Sequence, residues 1–328
     1  MNILNLIGNT PLTRVNFGGA ARVYGKLEYL NPGGSVKDRS ALYMIEEAEK
    51  NGVLKPGGTL IDASSGNQGI ATAMIGAVKG YKVIITVSEK ISKEKMDTLR
   101  AYGAQLIICP ATDFIEHPDN YHTRAVALQK ATPNSFMPNQ YFNPSNAKAH
   151  YLSLGPEIWR QTEGKITHFF AGAGTGGTVS GTGRYLKEQN PNIKVLAIDS
   201  DKSFRATGGN PQPYKVEGIG IDWDGSPVLD KSVIDEFLEV SDAHALPMLQ
   251  TMAREHGLLV GLSSGAVAWA AREYTKHLGA DTYAVMIFGD SGRAYLTKGF
   301  YYDEVSNYTT HKLPLTESPA QVRLAEHE

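Results

Sequence analysis

Short apolar segments alternate with amphipathic segments along most of the chain, at a spacing typical of strand, helix, strand units. In the first half of the chain the pattern predicts three strands with two helices between them, at 58–63, 70–78, 82–87, 92–102 and 105–109. A second series predicts a strand, a helix and a strand, at 166–171, 177–187 and 194–199. Because such alternation is typical of parallel sheets, the sequence predicts an α/β protein.

The elements group into two predicted α/β domains with parallel-type sheets, over residues 1–146 and 147–302, followed by a C-terminal tail over 303–328. The division allows the first residues of the chain to pack with the second domain. A Gly-, Pro- and Asp-rich connection at 201–229 lacks an apolar period and is predicted to lie at the surface, beside a cleft. After it the pattern predicts two helices, a strand and a short final helix, at 243–256, 264–277, 283–288 and from Arg293.

Composition limits the classes of ligand. The 32 Lys and Arg residues nearly balance the 34 Asp and Glu residues, so the chain lacks the basic surface that nucleic acid or an anionic membrane needs. No apolar run reaches the length of a membrane span and the 9 histidines show no close ligand pairs, so we expect neither a membrane segment nor a metal. The single cysteine, Cys109, is typical of a reducing compartment. We therefore expect a cytoplasmic protein with small-molecule substrates.

A Gly-rich segment separates a predicted strand from a predicted helix. Glycines at 172, 174, 176 and 177 leave backbone amides bare at the positive end of the helix, which favours binding of a phosphate. Three of them, at 172, 174 and 177, also satisfy G-x-G-x-x-G, and Asp199 ends the next predicted strand. Two interpretations follow from the residues alone: the phosphate of a cofactor, or the dinucleotide of a nicotinamide-dependent dehydrogenase.

The segment Asn31 to Arg39 (Asn-Pro-Gly-Gly-Ser-Val-Lys-Asp-Arg) begins another predicted helix. Ser35 and Asp38 match a capping box, and the apolar residues that follow lie on one helical face, at 41, 44, 45 and 48. Lys37 then lies in the first turn, where the helix dipole lowers the pKa of its amine. A neutral lysine is suited to form a Schiff base, although this segment alone also fits a surface lysine paired with an acid.

Two further polar turns follow predicted strands. The turn at 64–69 (Ser-Ser-Gly-Asn-Gln-Gly) brings hydroxyls and amides to a helix N-terminus, which favours a carboxylate ligand or simply a capped helix. The turn at 289–293 (Gly-Asp-Ser-Gly-Arg) offers Asp290 or Ser291 to the nitrogen of a heterocyclic ring. An aspartate would keep a pyridine ring protonated, whereas a serine would leave it neutral.

These motifs occur together and in order, preceded by Ile7 to Leu12 (Ile-Gly-Asn-Thr-Pro-Leu). In this combination they resemble the cystathionine β-synthase and cysteine synthase family over residues 4–300. The resemblance implies the tryptophan synthase β-like fold, also called fold type II, with pyridoxal phosphate as cofactor. It also implies a homodimer that acts on small amino-acid and thiol substrates. The dehydrogenase interpretation becomes the more distant one.

The resemblance assigns roles to individual residues. Lys37 would form the Schiff base, Asn67 would bond the ring hydroxyl oxygen and Ser291 would meet the pyridine nitrogen. The cofactor phosphate would bind a loop made of Gly174, Thr175, Gly176, Gly177 and Thr178. The substrate carboxylate would bind the set Ser64, Ser65, Gly66, Gln68 and Gln140. Ser64 and Gln68 depart from the family's usual Thr-Ser-Gly-Asn-Thr, and Gln68 bears on the choice of substrate.

Two segments bear on the choice within the family. Val216 to Trp223 and Asp290 to Lys298 look closer to cystathionine β-synthases, in a minimal bacterial form, than to cysteine synthases. We therefore expect a lyase-type enzyme that replaces the β-substituent of L-serine, or of an activated serine, with L-homocysteine to give L-cystathionine. The alternative is a cysteine synthase that uses O-acetyl-L-serine and sulfide.

Overall fold

A computed structural model describes residues 1–64, 66–112, 117–222 and 226–302. Within these residues the strands are β1 Leu12–Val15, β2 Arg22–Leu27, β3 Thr59–Ala63, β4 Lys82–Ser88, β5 Gln105–Cys109, β6 Ser135–Phe136, β7 His168–Gly172, β8 Lys194–Ser200, β9 Glu236–Val240 and β10 Tyr283–Phe288. The helices are α1 Lys37–Lys50, α2 Asn67–Lys79, α3 Lys93–Ala101, α4 Tyr121–Ala131, α5 Ser145–Leu152, α6 Leu154–Gln161, α7 Gly177–Gln189, α8 Asp242–His256 and α9 Leu262–Thr275. Short 3-10 helices cover Ile3–Leu6, Glu28–Leu30, Lys231–Val233 and Gly292–Lys298.

The strands form two sheets of unequal size. The smaller has the order β5-β4-β3-β6, and each neighbouring pair in it runs parallel. The larger has the order β1-β2-β10-β7-β8-β9, and its β1–β2 pair is antiparallel whereas its other pairs are parallel. The prediction of an α/β fold with parallel sheets is confirmed. Because β1 and β2 belong to the larger sheet, the first strands of the chain do cross to the second half of the fold.

The apolar pattern located the buried strands well and the remaining elements less well. Each strand predicted in the sequence is present, with bounds shifted by no more than a residue or two. Strands β1, β2, β6 and β9 and helices α4, α5 and α6 were not predicted. The predicted tail, 303–328, lies outside the described residues. The domain limits at 146 and 302 stay a prediction.

The strands that lead to the cleft are covered on both faces. In β3 the residues 59–62 are all buried, and in β10 the residues 284–288 are all buried. Leu60, Ile61 and Phe288 have no exposed surface. Parallel strands packed between helices have continuous apolar runs for this reason, and a fully packed strand holds the turn at its end in a fixed place.

The carboxyl ends of three strands meet at one cleft between the sheets. Ser64 follows β3, Gly174 follows β7 and Gly289 follows β10, and all three line the same cavity. Helix α1 starts in this cleft, because the Val36 amide donates a 2.8 Å hydrogen bond to the carbonyl oxygen of Gly289. Ligands of open α/β sheets bind at such strand ends.

Two helix starts differ from the sequence prediction. Helix α2 begins at Asn67, three residues earlier than predicted, which places Asn67 and Gln68 in its first turn. The capping box predicted for α1 is wrong. The Asp38 carboxylate accepts a 2.6 Å hydrogen bond from the amide of Gly33, while Ser35 pairs with Asp290 in an isolated bridge. The Ser35 hydroxyl accepts a 3.2 Å hydrogen bond from the Lys37 amide, so both side chains of the predicted box bond to other nearby amides.

Candidate active site

The cleft encloses a cavity of about 360 Å³ in which most of the predicted site residues meet. Those that line it are Lys37, Ser64, Gly66, Asn67, Gln68, Gln140, Gly174 and Thr175. Ser65 lies outside the described residues. Helix α7 begins at Gly177, so Gly176, Gly177 and Thr178 form the end of the Gly-rich turn and the first turn of the helix beside the cavity. Segments far apart in the sequence thus converge on one site.

Lys37 is the first residue of α1 and projects into the cavity. Burial lowers the pKa of its amine, and the negative charge of Asp290 partly opposes this effect. The sequence predicted the same direction but a different cause, the helix dipole. A lowered pKa increases the share of the neutral amine, the form that attacks a carbonyl carbon.

The Gly-rich turn forms a cradle whose narrowness requires glycine. At Gly176 the backbone is left-handed, with φ of 88°, and a Cβ atom there would lie 2.7 Å from Leu229. A Cβ atom at Gly177 would lie 2.2 Å from Oδ1 of Asn146. The first amides of α7 have no acceptor within the helix, and they lie at its positive end. Such a turn binds a phosphate.

Helix α5 supports the two threonines of this turn. Asn146 donates a 3.1 Å hydrogen bond from Nδ2 to Oγ1 of Thr175, and Nε2 of His150 lies 3.3 Å from Oγ1 of Thr178. Burial lowers the pKa of His150 well below its usual value, and the positive charges of Lys37 and Arg39 lower it further. The imidazole is therefore neutral, and the threonine hydroxyls are held in place from behind.

The substrate side of the cavity has buried amides with unused hydrogen-bonding capacity. Oε1 of Gln68 and Oε1 of Gln140 are both buried, and neither has a partner among the described residues. Nε2 of Gln68 donates to Thr72 over 3.4 Å, and Oγ of Ser64 accepts from the Gly66 amide over 3.3 Å. A buried polar atom without a partner in the protein is typical of a position that a polar ligand completes.

Asn67 and Asp290 connect the two walls of the cavity. Nδ2 of Asn67 donates a 2.7 Å hydrogen bond to Oδ2 of Asp290, and the Tyr295 hydroxyl donates to the same oxygen over 2.5 Å. Burial raises the pKa of Asp290, while the hydrogen bonds from Tyr295 and Asn67 oppose the rise. Of the two residues offered by the sequence for a ring nitrogen, Asp290 reaches the cavity and is engaged with Asn67 there.

The structure does not bring Ser291 to the cavity. Its hydroxyl accepts a 3.3 Å hydrogen bond from the Arg293 amide and so caps the 3-10 helix that follows. Another serine, Ser263, lines the cavity from the first turn of α9. The sequence analysis missed it, although the pair Ser263 and Ser264 at the start of a predicted helix was a signal of the same kind as the turn at 64–69.

Charged residues that the sequence analysis also missed lie at one side of the cavity. Lys95 on α3 is 6% exposed and lines the cavity together with Glu217. Its Nζ lies 2.5 Å from Oε2 of Glu217, and Oε1 of Glu217 accepts from Lys298 over 2.6 Å. Burial tends to raise the pKa of Glu217, but the two lysines lower it overall, so this carboxylate is ionised.

A cofactor with a carbonyl group for Lys37 and a phosphate for the start of α7 fits this cleft. The narrow glycine cradle and the unpartnered amides are present in the chain itself, and pyridoxal phosphate has both required groups. A dinucleotide site would need Asp199 to bind a ribose. This carboxylate instead accepts hydrogen bonds from Ser203, Arg205 and the Ile221 amide. Fold and site together define an enzyme of the kind that uses pyridoxal phosphate.

The chain belongs to the pyridoxal-phosphate dependent enzyme family, whose family model matches residues 3–290. Cystathionine beta-synthase of Apis mellifera is 46% identical over 306 residues, which cover 90% of this chain and 60% of that relative. The chain thus spans less than two thirds of the relative's length. Cysteine synthase of Staphylococcus aureus (strain Mu50) is 41% identical over 304 residues, which cover 92% of this chain and 96% of the relative.

Among solved structures, the O-acetylserine dependent cystathionine beta-synthase from Helicobacter pylori superposes with a TM-score of 0.85 at 37% sequence identity, covering 92% of this chain and 99% of that chain. The expected fold type II and the pyridoxal phosphate cofactor are confirmed. The protein is a β-replacement enzyme of the cystathionine β-synthase and cysteine synthase type, acting on small molecules.

Within the described residues, no helix has both the length and the apolar character that crossing a membrane requires. The homodimer and the cytoplasmic location stay predictions.

Proposed function

We propose that this enzyme joins L-serine, or an activated L-serine, to L-homocysteine and releases L-cystathionine. The observation that carries this choice of acceptor is the Lys95–Glu217 pair inside the cavity. A free amino acid carries a carboxylate and an ammonium group, and this pair offers the opposite charge to each. Sulfide offers nothing for the carboxylate of Glu217 to bind.

The charges around Glu217 favour an amino-acid acceptor further. Lys95 and Lys298 both contact this carboxylate, so the three residues together carry one net positive charge. The carboxylate of an incoming amino acid takes the place of the Glu217 carboxylate beside Lys95. Its ammonium group takes the place of a lysine beside Glu217. Lys95 is almost fully buried, so water screens its contact with a bound carboxylate poorly, whereas the Glu217 side chain is 41% exposed and is screened more.

In this proposal the remaining residues divide the chemistry among them. Bound pyridoxal phosphate supplies the electron sink that makes the α-proton of the amino acid acidic and lets the β-substituent leave. The Lys37 amine holds the cofactor, removes the α-proton when freed, and in its ammonium form protonates a departing hydroxide. Ser64, Gly66, Gln68 and Gln140 bind the substrate carboxylate.

The pyridine nitrogen is assigned to Ser263 in place of Ser291. The Ser263 hydroxyl is at the cavity, whereas that of Ser291 caps a helix. A hydroxyl leaves the pyridine nitrogen neutral, which limits charge delocalisation into the ring and favours β-elimination over transamination. Gly174, Thr175, Gly176, Gly177 and Thr178 take the cofactor phosphate, and Asn67 takes the ring hydroxyl oxygen.

A cysteine synthase activity is the second candidate function. It is supported by the 41% identity to the cysteine synthase of Staphylococcus aureus, which extends over 96% of that relative. The two candidates share the first half of the reaction and differ in the thiol that enters afterwards. Acceptor kinetics therefore separate them, with the donor held constant.

Replacement of Lys95 with methionine is expected to lower kcat/KM for homocysteine about 30-fold and to change kcat/KM for sulfide less than about threefold. A charge-assisted contact to a buried group contributes about 2 kcal/mol, which corresponds to the larger change. Steady-state kinetics with each acceptor, at fixed O-acetyl-L-serine, measure the two ratios. The donor half-reaction, followed by the absorption change of the bound cofactor when O-acetyl-L-serine is added without a thiol, is expected to keep its rate.

Lys93→Met is the matched control, because Lys93 lies on the same helix with a side chain that is 85% exposed. It is expected to behave as the unaltered enzyme with both acceptors. Equal losses with homocysteine and sulfide in Lys95→Met would count against recognition of an amino acid at this pair. An unaltered enzyme that turns over sulfide but not homocysteine would establish the cysteine synthase instead.

A further inference from the structure

Asn67 and Asp290 form a hydrogen bond across the cleft that fixes the orientation of an amide. Asn67 begins α2 beside the smaller sheet, and Asp290 follows β10 of the larger sheet. Nδ2 of Asn67 lies 2.7 Å from Oδ2 of Asp290, and 223 positions of sequence separate the two residues. No secondary structure of either residue requires this bond, so it is a contact made at the site.

The carboxylate of Asp290 is itself held firmly. Oδ2 accepts from the Tyr295 hydroxyl as well as from Asn67, and the backbone carbonyl of Asp290 accepts a 2.9 Å hydrogen bond from the Gly261 amide. Oδ1 packs against Gly261 so closely that a Cβ atom there would lie 1.8 Å away. The side chain of Asp290 is 4% exposed and has no room to turn.

A fixed carboxylate determines which way the amide of Asn67 faces. Oδ2 of Asp290 is an acceptor for both Tyr295 and Asn67, whereas an amide has an oxygen that accepts and a nitrogen with two hydrogens that donate. Asp290 therefore selects the rotamer in which the nitrogen faces it. One N–H is then engaged, and the direction of the second N–H follows from the planarity of the amide.

We propose that Asp290 is a positioning residue, which acts through Asn67 and makes this amide donate to the ring oxygen of the cofactor instead of accepting from it. The inference rests on the proposed function in one respect, the placing of Asn67 opposite the ring hydroxyl oxygen. A donor at that position stabilises the ionised ring oxygen over its protonated form. The ionised form absorbs visible light and the protonated form absorbs in the near ultraviolet, so the effect of Asp290 is visible in a spectrum.

Replacement of Asp290 with asparagine tests this role with almost no change of shape. The new amide accepts or donates toward Asn67, so both rotamers of Asn67 become populated. The ratio of the visible to the near-ultraviolet form of the loaded enzyme is expected to fall about tenfold, the effect of losing most of one charge-assisted hydrogen bond. Absorption spectra of the cofactor-loaded proteins at one fixed pH give this ratio without any turnover.

A double-mutant cycle separates positioning from the loss of a buried charge. If Asp290 acts through Asn67, then Asp290→Asn changes the ratio in the unaltered enzyme and leaves it unchanged when Asn67 is already alanine. A shift of the same size in both backgrounds would show a direct electrostatic effect and overturn the proposal. Unchanged spectra in Asp290→Asn would overturn it as well.

Ser291→Ala is the matched control, since Ser291 is the neighbouring residue and caps a helix outside the cavity. Its spectrum is expected to match that of the unaltered enzyme. Failure of the proposed function has a different signature, because the unaltered protein would then load the cofactor but would not join O-acetyl-L-serine to homocysteine. An enzyme that is active but whose spectrum is insensitive to Asp290 refutes the positioning role alone.

Discussion

Lys37→Ala is expected to reduce turnover at least about 10⁴-fold. The same amine holds the cofactor, removes the α-proton and protonates the departing group, so one substitution removes all of these contributions to the rate. Lys37 is the only lysine besides Lys95 among the described residues that line the cavity. Burial lowers the pKa of the Lys37 amine, which increases the share of its neutral, nucleophilic form. Alanine supplies neither the covalent link to the cofactor nor a base for the α-proton.

Two measurements check this result. The steady-state rate with O-acetyl-L-serine and homocysteine gives the loss of turnover. Borohydride reduction followed by mass spectrometry of the peptides shows the covalent link, which is expected on Lys37 in the unaltered enzyme and absent from the variant. Lys50→Ala, in the last turn of the same helix, is the matched control and keeps both properties. A Lys37→Ala protein with normal turnover would remove the basis of the site assignment.

Arg39→Met is expected to cost about 3–5 kcal/mol of unfolding free energy, since it removes the cationic partner of buried Glu28 and one of the two cationic partners of Glu157. The Arg39 guanidinium donates 2.7 Å hydrogen bonds to Glu28 and to Glu157, and all three side chains are buried. Lys26, which has no exposed surface, lies 2.9 Å from Glu157 on the other side. The two positive charges of Lys26 and Arg39 balance the two negative charges of Glu28 and Glu157, and loss of Arg39 leaves one buried negative charge in excess.

Urea unfolding curves measure this loss as a lower midpoint with an unchanged slope. Arg160→Met is the matched control, because Arg160 is exposed and its contact is a 3.0 Å hydrogen bond to Asn9. A surface change of this kind is expected to cost less than about 1 kcal/mol. Comparable midpoints for the two variants would show that the buried network contributes little.

The same network predicts how stability depends on pH. Burial opposes ionisation of Glu157, but the hydrogen bonds and charge of Arg39 prevail and lower the pKa of this carboxyl to about 2. An unfolded glutamate has a pKa of about 4.3. Glu157 therefore stabilises the fold fully above that value, and the contribution is lost as the pH falls towards about 2. The Arg39→Met variant is expected to lose this acid dependence.

Local chemistry explains which parts of the site the sequence could predict. The Gly-rich turn and Lys37 were found because a left-handed glycine, a helix start and a polar turn after a strand leave signals within a few residues. Ser263 was missed and Ser291 chosen because both are serines at helix starts, and only the packing of α9 against the cleft decides which hydroxyl reaches it. The capping box of α1 failed for a local reason, since the Asp38 carboxylate accepts from the Gly33 amide and the Ser35 hydroxyl from the Lys37 amide.

The same distinction holds for the fold. Buried strands such as β10 were predicted because both of their faces are apolar, whereas β9 at the edge of its sheet has the mixed sequence Glu-Phe-Leu-Glu-Val. Helix α5 was missed because its apolar residues do not fall on one face, and it is held by contact with α7 instead. Lys95 and Glu217 join two distant segments, and no pattern within either segment indicates the other.

The position of β10 has a consequence for the order in which the protein assembles during synthesis. In the larger sheet β10 lies between β2 and β7, so it alone connects the β1–β2 hairpin to the strands β7, β8 and β9. The strands of the smaller sheet have all been synthesised once residue 136 is made, whereas the hairpin must keep its open edge until residue 288 follows. An unpaired edge of that kind favours association with other chains. The growing chain therefore carries an unpaired, aggregation-prone edge over the long interval between these two points.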